Sequence, residues 1–122
     1  MKWWHSFLMV FLGSGIGGMM RWIVSRWLNG SHPWGTLTAN VIGCLLLGMI
    51  NAWLSRRGVG YEPLRLLLVV GLCGGFTTFS TFINENFLLL QGSQAVQAII
   101  YISLSIALGL GAVWLGYSII GK

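Results

Sequence analysis

Four long apolar blocks dominate the chain, at residues 4–27, 35–54, 63–90 and 95–119, divided only by short stretches at 29–34, 56–62 and 91–94. The dividers have the composition of turns. Each block is long enough for a helix to cross the roughly 30 Å hydrocarbon layer of a bilayer. The pattern predicts an all-α integral membrane protein with four transmembrane helices, and no connection can hold a soluble catalytic domain. Lys2 precedes the first block, but residues 13–17 lead into further apolar sequence, which favours a first transmembrane helix over a cleaved signal peptide. The third block differs from the others because residues 71–85 are polar and broken by glycine. Non-helical backbone at membrane depth is tolerated only where protein or a cavity supplies its hydrogen-bond partners, so this stretch marks the predicted site.

Composition agrees with that pattern. Of 122 residues, 56% are hydrophobic and 7% are charged, with 18 glycines, and the mean hydropathy is +0.80. A soluble chain of this size needs a more charged surface. A net charge of +5 would suggest nucleic acid in a soluble protein, but Lys2, Arg26, Arg56, Arg57, Arg65 and Lys122 fall at block ends or in dividers. Lipid headgroups and topology account for them there, and no nucleic-acid partner is expected. Lys2, Arg56, Arg57, Arg65 and Lys122 share one side of a four-span layout against chiefly Arg26 on the other, which favours termini in the cytoplasm. Trp3, Trp4, Trp22, Trp27, Trp34 and Trp53 cluster near block ends, as an aromatic belt requires. Cys44 and Cys73 have no thiol or histidine at metal-ligand spacing and read as small packing residues. His5 and His32 lie near the predicted surface without a nucleophile at helical spacing, which weighs against an integral membrane enzyme.

A few polar residues remain where lipid would penalise them. Thr36 and Asn40 share a face of the second helix, and Tyr101 and Ser105 share one of the fourth. They fit either a polar pathway or interhelical glue, with Gly43, Gly48, Gly109, Gly111 and Gly116 allowing close packing. In the third block, Gly74 and Gly75 followed by Thr77 and Thr78 favour a helix break that exposes main-chain carbonyls suited to a hard cation. Phe79 and Phe82 are spaced to share a face, with Ser80 and Thr81 between them and Glu85 a further turn along. Ring edges carry partial positive charge, so this face can meet a small anion without a full cation, although ordinary packing is the simpler role for such a pair. Donors such as the Asn40 amide and the hydroxyls of Ser80, Thr81, Tyr101 and Ser105 can replace the hydration of a strongly solvated anion.

These residues resemble the small four-helix fluoride channel family, the Fluc or CrcB proteins. The resemblance runs through 13–22 and 35–43 and is most specific at Gly74, Gly75, Phe76, Thr77, Thr78, Phe79, Ser80, Thr81 and Phe82. It implies a fluoride-selective passive channel, with residues 1–122 as one channel domain in an antiparallel, dual-topology homodimer holding two pores and one central sodium ion. By motif, Phe79 and Phe82 would face the pore, and Asn40 would donate its amide to fluoride. Thr36, Ser80, Thr81, Tyr101 and Ser105 would continue the ion pathway. The carbonyls of Gly74 and Thr77 would bind sodium. Arg21 would shape the vestibule, and Glu85 would be the acidic residue on the far half of the broken helix. Gly109 stands where some members carry a further serine, and the one-sided charge count sits uneasily with dual insertion. The rivals are a small multidrug-resistance type proton-coupled exporter, which needs a carboxylate that the first block lacks, and a non-conducting assembly subunit.

Overall fold

The computed structural model describes residues 2–30, 33–56 and 62–121. His32, Arg57, Lys122 and parts of two predicted dividers lie outside the described residues. Helix α1 runs Trp3–Leu28 and α2 runs Trp34–Ser55. The third helical path begins as α3, Glu62–Arg65, widens into a π-helix over Leu66–Cys73, and narrows again in α4, Gly74–Phe76. Helix α5 follows at Phe79–Gln91 and α6 at Ala95–Gly121. These make four helical stretches long and apolar enough to cross a membrane, at Trp3–Leu28, Trp34–Ser55, Glu62–Gln91 and Ala95–Gly121. They match the four predicted blocks to within a few residues.

Inside the third stretch, Thr77 (φ −87°, ψ 156°) and Thr78 (φ −147°, ψ 123°) are extended. The new helix start is capped by Thr78, whose side-chain oxygen accepts from the Thr81 N–H at 3.2 Å. Further on, α5 turns into α6 over a few residues. The Gly92 N–H returns to the Leu88 carbonyl at 3.0 Å and the Gln94 N–H to the Leu89 carbonyl at 2.8 Å, with Ser93 at φ 60°.

Small residues let the helices touch backbone to backbone. A Cβ on Gly13 or Gly17 of α1 would strike the carbonyls of Leu67 or Leu72 in the π-helix, and one on Gly71 would lie 2.8 Å from the Gly13 Cα. Gly48 of α2 and Gly116 of α6 form the second seam, where a Cβ would meet the Val113 carbonyl or the Leu45 carbonyl. Ala39, Ala52 and Ala98 are fully buried beside these seams. In lipid no hydrophobic force separates helix from solvent, so association rests on this van der Waals contact and on interhelical hydrogen bonds. Gly111, expected to allow close packing, has nothing within 4 Å of its Cβ position. It is exposed, while the next residue, Ala112, carries the buried face of α6. Large side chains cover the outside: Trp3, Trp22, Trp27, Trp34 and Trp114 are all exposed, and the Arg26 guanidinium lies 5.4 Å from the Trp22 ring centre. That distribution suits a molecule whose surface meets acyl chains and headgroups.

Substituting Gly116 with Ala is expected to lower stability by about 1–3 kcal/mol, because the added methyl overpacks against α2. Gly111→Ala is the control and should keep stability or raise it by up to about 1 kcal/mol, since Ala is the better helix former and has open space there. Thermal unfolding of the purified variants in one detergent checks both.

Candidate functional site

The extended pair at Thr77 and Thr78 removes the regular helix bonds there, and neighbouring groups replace some of them. The Thr77 N–H still makes the ordinary helix bond to the Cys73 carbonyl at 3.0 Å, and the Thr77 hydroxyl donates to the same carbonyl at 2.9 Å. The Asn40 side chain closes on the Thr78 backbone from α2: its Oδ1 accepts the Thr78 N–H at 2.8 Å and its Nδ2 donates to the Thr78 carbonyl at 3.2 Å. Gly43, one turn along α2, leaves room for the Thr77 methyl, which a Cβ there would strike. From the other side the Arg21 Nε donates to the Gly75 carbonyl at 3.3 Å.

The break also redirects two N–H groups. A continuous helix would offer the Thr78 N–H to Gly74 and the Thr81 N–H to Thr77, but these go to Asn40 Oδ1 and Thr78 Oγ1. The Gly74 and Thr77 carbonyls thus lose these two donors, and carbonyl oxygens are hard ligands of the kind a hard cation accepts. No cluster of three His, Cys, Asp or Glu side chains that could hold a metal occurs among the described residues. Cys44 and Cys73 are free thiols.

Glu85 anchors a second polar group. The chain has two acidic residues, and the other, Glu62, pairs with Arg65 at the exposed start of the third path at 2.6 Å. Glu85 Oε2 accepts from the Thr36 hydroxyl at 2.8 Å, and Oε1 accepts from the Tyr101 hydroxyl at 2.7 Å. Thr36 is completely buried, at 0% exposure. The structure therefore joins α2, α5 and α6 through one carboxylate. The hydroxyl protons of Thr36 and Tyr101 are both given to that carboxylate.

Between these groups lies a groove of about 490 Å³, lined by Asn40, Gly43, Gly74, Thr77, Thr78, Phe79, Phe82, Ser105 and several apolar residues, none of them charged. Phe82 is buried at 9% exposure and meets Tyr101 edge to face, with ring centres 5.0 Å apart. Phe79 is 75% exposed, and its ring centre lies 6.4 Å from that of Phe82. The Ser105 Oγ is buried and has no hydrogen-bond partner among the described residues. Asn40, Phe79, Phe82 and Ser105 are thus brought together, whereas Ser80 sits on the exposed side of α5 beside Ile83, Asn84 and Phe87. Thr81 is half-buried in the first turn of α5, where its N–H serves the Thr78 cap. Arg21 approaches the break through Gly75, away from the Glu85 group.

Sequence reasoning passed over two residues. Asn86 is buried, its Nδ2 donates to the Phe82 carbonyl at 2.9 Å, and its Oδ1 has no partner among the described residues. Its spacing of four from Phe82 was the available signal. Asn29 was read only as part of a turn, yet its Oδ1 accepts from the N–H groups of Gly35 at 2.6 Å and Thr36 at 3.3 Å.

Four apolar helical stretches packed through small residues, with an uncharged and largely apolar groove beside them, define a small multi-pass membrane protein. The family model described as CrcB-like protein, Camphor Resistance (CrcB), matches residues 8–117, and the chain belongs to the CrcB family. Three relatives are named fluoride-specific ion channel FluC. The one from Flavobacterium psychrophilum is 40% identical over 111 residues, covering 88% of this chain and 90% of the relative. The one from Phocaeicola vulgatus is 42% identical over 115 residues, covering 91% and 94%. The one from Novosphingobium aromaticivorans is 43% identical over 116 residues, covering 90% and 91%.

Tyr101→Phe and Thr36→Val each remove one donor from Glu85. Each is expected to lower stability by about 1–3 kcal/mol, the cost of an unsatisfied buried acceptor. The double variant should lose less or more than the sum, since both donors serve one carboxylate. Thermal unfolding of the single and double variants measures this coupling.

Proposed function

We propose that the chain is a fluoride-selective passive channel by which a bacterial cell releases fluoride across its membrane. The observation that carries this reading is the uncharged groove that holds Asn40, Ser105 and the Phe82 ring together. Its support is the similarity along most of the chain to relatives named fluoride-specific ion channels. Fluoride holds its water strongly, so a dry route must replace that water with donors. A fixed Lys or Arg beside the ion would hold it too tightly, whereas neutral donors and ring edges permit both entry and release.

In this reading the third span is a helix broken at mid-membrane, and the extended Thr77 and Thr78 support it. Residues 1–122 act as a single channel domain, and two copies meet as an antiparallel, dual-topology homodimer. The exposure of Phe79 beside the groove favours a second copy closing over it and over Ser80. Asn40 uses one Nδ2 hydrogen on Thr78 and keeps the other for fluoride. Ser105 supplies an unengaged hydroxyl, and Thr81 lies alongside the path. Thr36 and Tyr101 contribute their protons to the ion in so far as Glu85 yields them. Arg21 shapes the vestibule through its hold on Gly75.

The Gly74 and Thr77 carbonyls of both copies would hold a structural sodium ion; the loss of the Thr78 and Thr81 N–H donors supports this, and carbonyl oxygen suits such a hard cation. When bound, that ion supplies a fixed positive charge that ties the two broken helices together. The one-sided placement of Lys2, Arg56, Arg57, Arg65 and Lys122 is the feature that opposes dual insertion.

Proteoliposomes loaded with fluoride should show rapid electrogenic efflux once a counter-ion path is supplied, with chloride nearly retained. In the same assay Phe82→Ile and Phe79→Ile should lower the flux about three- to tenfold, the equivalent of losing an edge interaction of about 0.5–1.5 kcal/mol. Comparable chloride flux, or transport that needs a proton gradient, overturns the assignment. Orientation is read separately by labelling a single introduced loop cysteine, which should react from both sides of the membrane.

A further inference from the structure

We infer that Asn29, at the end of α1, is a positioning residue for the Glu85 group and sets how firmly Thr36 holds that carboxylate. The inference rests on the channel reading only for its functional consequence; the geometry behind it is independent. Asn29 is fixed to α1 by its own N–H, which donates to the Ser25 carbonyl at 2.8 Å. Its side-chain oxygen then reaches forward across the connection and accepts from the Gly35 and Thr36 N–H groups at 2.6 Å and 3.3 Å. It satisfies two of the donors that the first turn of α2 cannot pair internally.

This reach depends on glycine. A Cβ at Gly35 would lie 2.7 Å from the Ser25 Cα and 2.8 Å from the Asn29 Oδ1, so any larger residue pushes α1 and Asn29 away from α2. The residue held in this way is Thr36, whose hydroxyl donates to Glu85 Oε2 at 2.8 Å. A hydrogen bond weakens steeply once its donor is moved or turned, so the backbone position of Thr36 governs its grip on Glu85. Asn29 and Glu85 also line one cavity of about 280 Å³, together with Gly30, Pro33 and Gln94. The cap therefore borders the carboxylate that it helps to place.

The chain's only side-chain carboxylates are Glu62 and Glu85, which makes Glu85 accessible to spectroscopy. In a Glu62→Gln background, the carboxylate stretch of Glu85 is isolated as the infrared difference from the matching Glu85→Gln protein. Asn29→Ala should shift this band in the same direction as Thr36→Val. In proteoliposomes it should reduce fluoride flux by up to about fivefold, the population factor that corresponds to the stabilisation a cap gives. Gly35→Ala, which displaces the Asn29 oxygen without changing that side chain, should behave like Asn29→Ala. If Asn29→Ala does not fold, Asn29→Gln, which moves the amide by one methylene, replaces it. Reduced flux with an unshifted band means a cap of structural importance only and overturns the assignment. A shifted band with wild-type flux, or Gly35→Ala with both the band and the flux of wild type, overturns it as well. If the wild-type protein passes no fluoride, the channel reading fails, and the band alone decides whether Asn29 positions Glu85.

Discussion

Backbone polar groups in hydrocarbon need partners, and the structure around Thr77 and Thr78 depends on how that demand is met. Two extended residues in an apolar span would strand several N–H and C=O groups, each at a cost of a few kcal/mol. Asn40 meets the demand at Thr78 with both ends of its amide, and Cys73 accepts twice from Thr77. Arg21 takes the Gly75 carbonyl. The interruption thus belongs jointly to three helical paths, and no one of them could sustain it alone. The absence of a Cβ at Gly43 allows α2 to approach closely enough for Asn40 to reach.

The Glu85 group shows the same sharing of polar partners among helices. One carboxylate accepts from Thr36 and from Tyr101, fastening α5 to α2 and to α6. Both donors are buried, so the contacts that hold the helices together also occupy their hydroxyl protons. The distinction between interhelical glue and pathway is therefore not a division between residues. Asn40 makes interhelical bonds and also lines the groove, whereas Ser105 has a buried hydroxyl with no partner among the described residues.

Packing of the remaining surfaces follows from the solvent. Gly13, Gly17 and Gly71 bring α1 onto the π-helix, and Gly48 and Gly116 bring α2 onto α6. Bulk is kept for the outside, where Trp27 is 81% exposed and Leu110 70%. A soluble protein reverses this arrangement, burying its large apolar residues away from water. Here the core is assembled from small residues because lipid already solvates the large ones.

The chain's own sequence determined the four spans, because hydrocarbon thickness and the need for internal hydrogen bonds leave a long apolar block few choices other than a helix. It also marked residues 74–82 as exceptional, since paired glycines and paired threonines conflict with a regular apolar helix. Tertiary structure decided how the polar residues were used. Spacing of four put Thr36 and Asn40 on one helix face, yet one went to a carboxylate 49 residues away and the other to a backbone 38 residues away. Gly111 had the composition of a packing residue but fell on the open side of α6. Asn29 had the composition of a turn residue but became the cap of the next helix. Local periodicity states which residues share a face; which partner that face meets is set only when helices distant in sequence close against one another.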